Sequence, residues 1–299
     1  MEIAVIGLGR MGANVARRLM RGGHRVVGFD ANPAKVEALA AEGATAAASI
    51  ADALSKLHAP RVVWVMVDAG DPTRAVLAEL RTRLETGDIV IDAGNTDWRE
   101  DEGRASIFAV TGIAYLDVGV AGGVQGLTDG WCLMVGGDKA ASDRMKNLFD
   151  DLAAPQGLAH VGPSGSGHYA KMVHNAVEYG MMQSLAEGFE LVRGAPQGLD
   201  VTQVANLWRH GSVVRSWLLD VTHSTLKKDA KLDGDVAFEA DSGEGRWAVE
   251  TAIAQESPCT VLAASLFARF RGSRRDSYAE RLQAALRREF SGPAGPAPR

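Results

Sequence analysis

GLGRMG, residues 7–12, decides the fold. It follows the apolar run EIAVI (2–6) and leads into NVARRLMRGG (14–23), whose apolar residues recur at helical spacing before a glycine stop. The order is strand, tight turn, helix. Gly7, Gly9 and Gly12 fit the pattern GxGxxG: the first permits the turn, the second lets a pyrophosphate approach the backbone, and the third lets helix and strand pack closely. Arg10 and Met11 complete the turn, and the helix that starts there offers free N–H groups and the positive end of its dipole to an anion.

A second strand, RVVGFD (25–30), ends in Asp30, where a dinucleotide site needs an acidic residue for the adenosine ribose. A carboxylate there accepts hydrogen bonds from the 2′- and 3′-hydroxyls. A 2′-phosphate would meet a like charge, with no arginine in the following AlaAsnPro segment (31–33) to offset it. NAD is therefore the expected cofactor, with NADP as the alternative because Lys35 and Arg10 lie near in sequence.

Strand patterns continue at RVVWVMV (61–67), DIVIDAGN (88–95) and AYLDVGVAGG (114–123), with helical stretches between them. Near-continuous apolar strands alternating with helices imply a parallel sheet covered on both faces, an α/β Rossmann-type doubly wound sheet. Ligands bind beyond the carboxyl ends of such strands. The segments that end there, Val67 to Gly70, Gly94 and Asn95, and Gly119 to Gly123, are candidate contacts, although tight turns alone would also favour glycine.

The chain has 299 residues, which favours two domains. VGPSGSG (161–167) breaks the alternation and predicts a boundary between a dinucleotide-binding domain, 1–162, and a mainly α-helical domain, 163–299. In the second, VTQVANLWRHGS (201–212), SVVRSWLLDVTHSTLK (212–227), GRWAVETAIAQES (245–257) and PCTVLAASLFARF (258–270) all read as helices. The Pro- and Gly-rich tail SGPAGPAPR (291–299) cannot build a core of its own. A net charge of −5 gives no basic field for a nucleic acid, and no apolar run is long enough to cross a bilayer. Cys132 and Cys259 match no disulfide framework or metal spacing and read as reduced core thiols; no metal is expected. With no signal peptide at its start, the protein is expected in the cytoplasm.

The long helix that follows the break carries GHYAKMVHNAVEYG (167–180). Lys171, His174, Asn175 and Glu178 fall at i, i+3, i+4 and i+7, one helical face, while Met172, Val173, Ala176 and Val177 are free to pack on the other. A polar stripe of this kind is commonly a solvated face with an ion pair.

Together GLGRMGANVARRL, DAGNT, GVAGGVQG, GSGHYAKMVHNAVEYGMMQ, GEGRWAVE and SLFARF resemble the decarboxylating 6-phosphogluconate dehydrogenases in their short bacterial form. The resemblance implies that Lys171 takes the proton of the substrate's 3-hydroxyl and that Glu178 protonates carbon 1 of the enediol left after carbon dioxide departs. It places Asn95 at the nicotinamide end as a contact to both cofactor and substrate, with Val67 also near the cofactor. Ala121, Gly122, Gly123, His174, Asn175 and Tyr179 become substrate contacts, and Arg269 of SLFARF becomes the grip on the distal phosphate. A homodimer or homotetramer acting on a small sugar acid is implied. Two departures bear on the substrate. Ala121 stands where the family usually has serine, and no histidine follows Phe290, where short-form relatives send one to a neighbouring subunit. The alternatives are a dehydrogenase of another 3-hydroxy acid and a dinucleotide-binding sensor without turnover.

Overall fold

The computed structural model describes residues 1–233, 243–273 and Leu282. Its contacts divide the chain into a first unit, Met1–His174, and a second that begins at Asn175.

In the first unit eight strands form one sheet: β1 Glu2–Ile6, β2 Arg25–Phe29, β3 Thr45–Ala46, β4 Val62–Val65, β5 Ile89–Asp92, β6 Ala114–Ala121, β7 Trp131–Gly137 and β8 Ala153–Gly162. Their order is β3-β2-β1-β4-β5-β6-β7-β8. The chain runs outward from β1 in one direction to β3, then crosses back to β4 and runs outward in the other. That reversal beside β1 opens the crevice where doubly wound sheets bind ligands. The pairings are parallel apart from β6 with β7, which is antiparallel, and β7 and β8 extend the sheet beyond the strands anticipated from sequence.

The strands lack polar alternation because both faces are covered. Ile3 and Val5 enter one buried cluster while Ala4 and Ile6 enter the other, and Trp64 and Val65 divide in the same way. Successive side chains of a strand point to opposite faces, so a strand buried on both must be apolar throughout.

A helix Ser166–Arg193 runs from the first unit into the second. Helices Val201–Trp208, Trp217–Lys228, Glu244–Ala254 and Thr260–Ser273 follow. Asp200 and Ser216 cap the first two of these, each accepting backbone N–H bonds that would otherwise be orphaned. The Ser216 cap sets the start of its helix at Trp217, later than the expected helix from 212. Phe189, Ala205, Leu219 and Leu226 form a small core among these elements. The tail 291–299 and Phe290 lie outside the described residues. Both cysteines are free, but Cys132 is exposed on β7 and Cys259 half-exposed, so neither is the core thiol expected. No described helix is long and apolar enough to cross a membrane.

Candidate active site

Each glycine of the first turn has its own physical reason. Gly7 adopts φ +95°, and a Cβ there would run into the Met66 carbonyl. A Cβ at Gly12 would overlap the Gly7 carbonyl, so the helix can approach the strand only with glycine at that position. Gly9 differs: a Cβ there would meet nothing within 4 Å. The open space lies above the turn at the start of the Arg10–Arg21 helix, where the pattern places a pyrophosphate. Arg10 is exposed, Met11 is half-buried against the core, and Val67 is half-buried at the end of β4.

Asp30 is tied to the same turn. Its carboxylate accepts from the Leu8 amide at 2.7 Å and the Asn32 amide at 2.8 Å, with the Lys35 ammonium 3.4 Å away. Partial burial works to raise its pKa, but the two amides and the Lys35 charge prevail and hold it below the usual carboxylate value. A fixed anion thus stands at the end of β2 beside the glycine turn. These features fit a dinucleotide whose ribose hydroxyls donate to Asp30.

At the carboxyl end of β6 the period of two sorts the side chains. Asp117, Gly119 and Ala121 share one face. Asp117 accepts from the amides of Gly165 (2.8 Å), Gly167 (2.8 Å) and His168 (3.0 Å), satisfying the first turn of the long helix. Gly119 meets that helix one turn on, where an added Cβ would lie 2.5 Å from the Lys171 Cβ and 2.8 Å from the Gly167 carbonyl. Lys171 is consequently buried, at 8% exposure. Ala121 is buried, whereas Gly122 (φ +125°) and Gly123 (φ +55°) are exposed in left-handed backbone, and the buried Trp131 indole donates to the Gly123 carbonyl at 2.8 Å. Asn95 is exposed at the turn after β5.

Beneath this surface is an ion network that the sequence reading did not single out. His168 Nδ1 donates to Asp101 at 2.8 Å and lies 3.2 Å from the Thr96 hydroxyl. Arg104 donates to Asp92 (3.2 Å), Asp101 (3.2 Å) and Thr96 (3.0 Å), and the Tyr115 hydroxyl reaches both Asp101 and Asp92. Burial raises Asp92 and Asp117 above the usual carboxylate value. Burial works to lower His168, but the charge and hydrogen bond of Asp101, followed by the charges of Asp92 and Asp117, push it up to about 9. The ligand atoms of Asp101, Asp117 and His168 converge within 4.8 Å, the one such group among the described residues. Backbone amides, Tyr115, Arg104 and His168 itself already engage the carboxylates of this group. One clue was legible: Asp92 and Asp117 are charges inside apolar strands, and a charge so placed needs partners.

Along the long helix the predicted stripe is divided rather than exposed as one face. Lys171, Met172, Asn175, Ala176 and Tyr179 are buried, while His174 is exposed and Glu178 half-buried. Val173 and Val177, expected to pack, are 38% and 45% exposed. Rows at i and i+4 explain the division, because Lys171, Asn175 and Tyr179 form one row and His174 and Glu178 the next. In the second unit Asn175 donates to the buried Glu244 carboxylate at 3.0 Å, and the Arg269 guanidinium stacks 3.6 Å over the Tyr179 ring. Glu244 is the second residue of GEGRWAVE (243–250), a motif read from sequence without a role for this residue.

Residues 2–163 match the family described as the NAD binding domain of 6-phosphogluconate dehydrogenase, and residues 167–293 match the 6-phosphogluconate dehydrogenase C-terminal domain. The chain belongs to the 6-phosphogluconate dehydrogenase family. It is 43% identical over 98% of its length to the 6-phosphogluconate dehydrogenase-like protein YqeC of Bacillus subtilis (strain 168), covering 99% of that protein. It is 42% identical, over 97% of both chains, to the NAD(+)-dependent, decarboxylating 6-phosphogluconate dehydrogenase of Haloferax volcanii. Among solved structures, the 6-phosphogluconate dehydrogenase of Plasmodium falciparum superposes with a TM-score of 0.84 at 26% identity, covering all of this chain and 67% of that one. Membership in the 6-phosphogluconate dehydrogenase family makes the chain an NAD(P)-dependent oxidoreductase, and the family's NAD-binding domain takes in both the glycine turn and Asp30.

Proposed function

We propose that the protein oxidises 6-phosphogluconate with NAD and releases ribulose 5-phosphate and carbon dioxide. The burial of Lys171 against Gly119, on the strand that leads into Gly122 and Gly123, carries this reading. A buried lysine whose side chain starts against the strand backbone is held in place, and a positioned amine is suited to take a proton as a general base.

Gly7, Gly9, Arg10, Met11, Gly12, Asp30, Val67 and Asn95 would hold the cofactor, and NAD when bound supplies the hydride acceptor. The chain's own residues move the protons. Lys171 takes the proton of the 3-hydroxyl as that carbon is oxidised to a ketone. The protonated lysine then donates to the keto oxygen as the carbon–carbon bond to the carboxylate breaks and its electron pair flows toward the carbonyl. Glu178 delivers a proton to carbon 1 of the resulting enediol while Lys171, neutral again, takes back the proton of the enol hydroxyl, leaving the ketone of ribulose 5-phosphate. His174, Asn175, Tyr179 and the Ala121–Gly123 turn orient the sugar acid, and Arg269 holds its phosphate. The proposal keeps residues 1–162 as the dinucleotide-binding domain and 163–299 as the substrate and oligomerisation domain of a cytoplasmic homodimer or homotetramer.

Mixing the protein with NAD and 6-phosphogluconate should give reduced cofactor and carbon dioxide in equal amounts. Reduction without carbon dioxide, or activity confined to an unphosphorylated acid, would replace this reading with a second one, the dehydrogenase of another 3-hydroxy acid. Ala121 favours that alternative, because a methyl stands where relatives offer a hydroxyl to the substrate. Cofactor binding without reduction of any hydroxy acid would point to a sensor.

A further inference from the structure

His168 lies one helical turn before Lys171, yet the reaction just described gives it nothing to do. It is almost fully buried, with 2% exposure. Every contact it makes leads to a different segment. Its Nδ1 donates to Asp101, on the Asp101–Ala109 helix, and lies close to Thr96, the residue directly after Asn95. Its backbone amide donates to Asp117 on β6. Arg104 closes the circuit, since it binds Thr96, Asp101 and Asp92 at once.

These contacts fix one distance. Asn95 stands on the turn between β5 and the Asp101 helix, and Lys171 stands on the long helix. Backbone hydrogen bonds within β5 do not reach that turn, and contacts within the long helix do not reach it either. The side chain of His168 spans the two, with one bond into the Thr96–Asp101 segment and its own backbone in the Lys171 helix. Asp117 fixes the helix on the other side through three amides, so a rigid arm is left whose far end is the Asn95 turn.

We propose that His168 is a positioning residue that holds the Asn95–Thr96 turn at a set distance from Lys171. The proposal deepens the reading of Lys171 as the base and Asn95 as a cofactor and substrate contact, and it rests on that reading. Hydride transfer is sensitive to placement on the scale of an ångström, so slack in this arm should appear in turnover before it appears in binding. The titratable and charged groups around His168 are Asp92 from β5, Asp101 and Arg104 from the adjoining helix, and Tyr115 and Asp117 from β6. With the ring nitrogen donating to Asp101, the pair is best replaced by a neutral amide: asparagine puts an N–H donor close to the position of Nδ1, and leucine supplies similar bulk without a donor.

The test compares His168→Leu and His168→Asn with the parent, using NAD and 6-phosphogluconate together with hydrogen exchange on the free protein. In His168→Leu, kcat should fall at least about tenfold, with the dissociation constant for NAD within about twofold of the parent. Exchange should quicken in residues 94–100. His168→Asn should recover most of both losses. If leucine and asparagine are equally impaired, or if the leucine variant keeps its kcat and its protection at 94–100, the tether is refuted. Should His168→Leu fail to fold, Thr96→Val cuts the other end of the arm and must produce the same loss of kcat with NAD binding kept. A parent that reduces no NAD with 6-phosphogluconate overturns the proposed reaction instead, and the exchange comparison still decides whether His168 holds the turn.

Discussion

Gly119 leaves no room for a side chain beside Lys171, since a methyl at 119 would sit 2.5 Å from the lysine's own Cβ. Strand and helix meet here with nothing between them, and the backbone of β6 is the surface on which Lys171 is placed. Gly136 and Gly167 extend the same close approach: a Cβ at Gly136 would strike the Asp117 carboxylate and the Gly167 amide.

Gly119→Ala must therefore displace the helix or the lysine. The expected result is a folded protein less stable by about 1–3 kcal/mol, as for an overpacked core, with kcat reduced at least about tenfold because the base is out of place. NAD affinity should hold, since Gly119 does not belong to the glycine turn. Denaturant unfolding and steady-state kinetics check the two parts, and an alanine variant with parental kcat would show that this contact does not place the base.

Cofactor choice follows from Asp30, which two backbone amides hold in place as a fixed negative charge. NAD should be used more efficiently than NADP, and Asp30→Ala should narrow the gap by removing repulsion on the 2′-phosphate. Lys35 is already paired with Asp30 at 3.4 Å, so the substitution also frees a cation for that phosphate. Ratios of kcat/KM for the two cofactors decide it; a parent that prefers NADP contradicts the assignment.

The proton-transfer roles separate by step. Lys171→Met should abolish cofactor reduction, whereas Glu178→Ala should lose overall turnover. Each loss should be on the order of a hundredfold or more, as for positioned acids and bases. Rapid-mixing absorbance of the reduced cofactor, followed beside carbon dioxide release, resolves the two, and near-normal rates in both variants would remove this helix from the chemistry.

The stability of the buried network should depend on pH in a definite direction. His168 has its folded pKa raised to about 9 from an ordinary 6.5, so the folded state holds the proton more tightly than the unfolded chain. That contribution is complete below pH 6.5 and is lost as pH rises through 9, a change on the order of 3 kcal/mol. The parent's Tm should decline over this window, and His168→Asn, with no imidazole to titrate, should decline much less. Equal slopes would mean that His168 is not charged in the folded protein.

Much of this organisation was legible in the sequence, and the exceptions share a cause. GLGRMG, the apolar runs of β1, β2, β4, β5 and β6, and the helix from 166 are local patterns, and a local pattern reports its own period. The buried arrangement of Asp92, Asp101, Arg104, Tyr115, Asp117 and His168 is not local, because it brings two strands and two helices to one point. Nothing in the spacing of these residues announces their meeting. The division of the polar stripe was hidden for a related reason: helical periodicity tells which residues share a row, but only the packing around Asn175 and Tyr179 tells which row is buried. β7 and β8 were missed where an antiparallel partner and a half-buried edge strand dilute the apolar run.

The last prediction concerns the phosphate. Arg269 is half-buried, with its guanidinium 3.6 Å over the Tyr179 ring and Nη2 3.9 Å from the Met182 sulfur. Stacking of this kind fixes the plane of the guanidinium, and a planar fork of N–H donors is the geometry that suits a bidentate bond to phosphate. Arg269→Ala should raise the KM for 6-phosphogluconate by roughly ten to more than a hundredfold, the equivalent of about 1.5–3 kcal/mol for a charge-assisted contact. Arg269→Lys should recover only part of the loss, because a point charge replaces the fork. Tyr179→Leu should also raise this KM, in part by letting the guanidinium turn, and that part of its effect should disappear in the Arg269→Ala background, which a double-mutant cycle can measure. The KM for NAD and any activity on unphosphorylated gluconate should remain close to the parent's in both arginine variants. If Arg269→Ala binds 6-phosphogluconate as tightly as the parent does, the arginine grips no phosphate; with a methyl rather than a hydroxyl at Ala121, the balance would then move to an unphosphorylated hydroxy acid as the substrate.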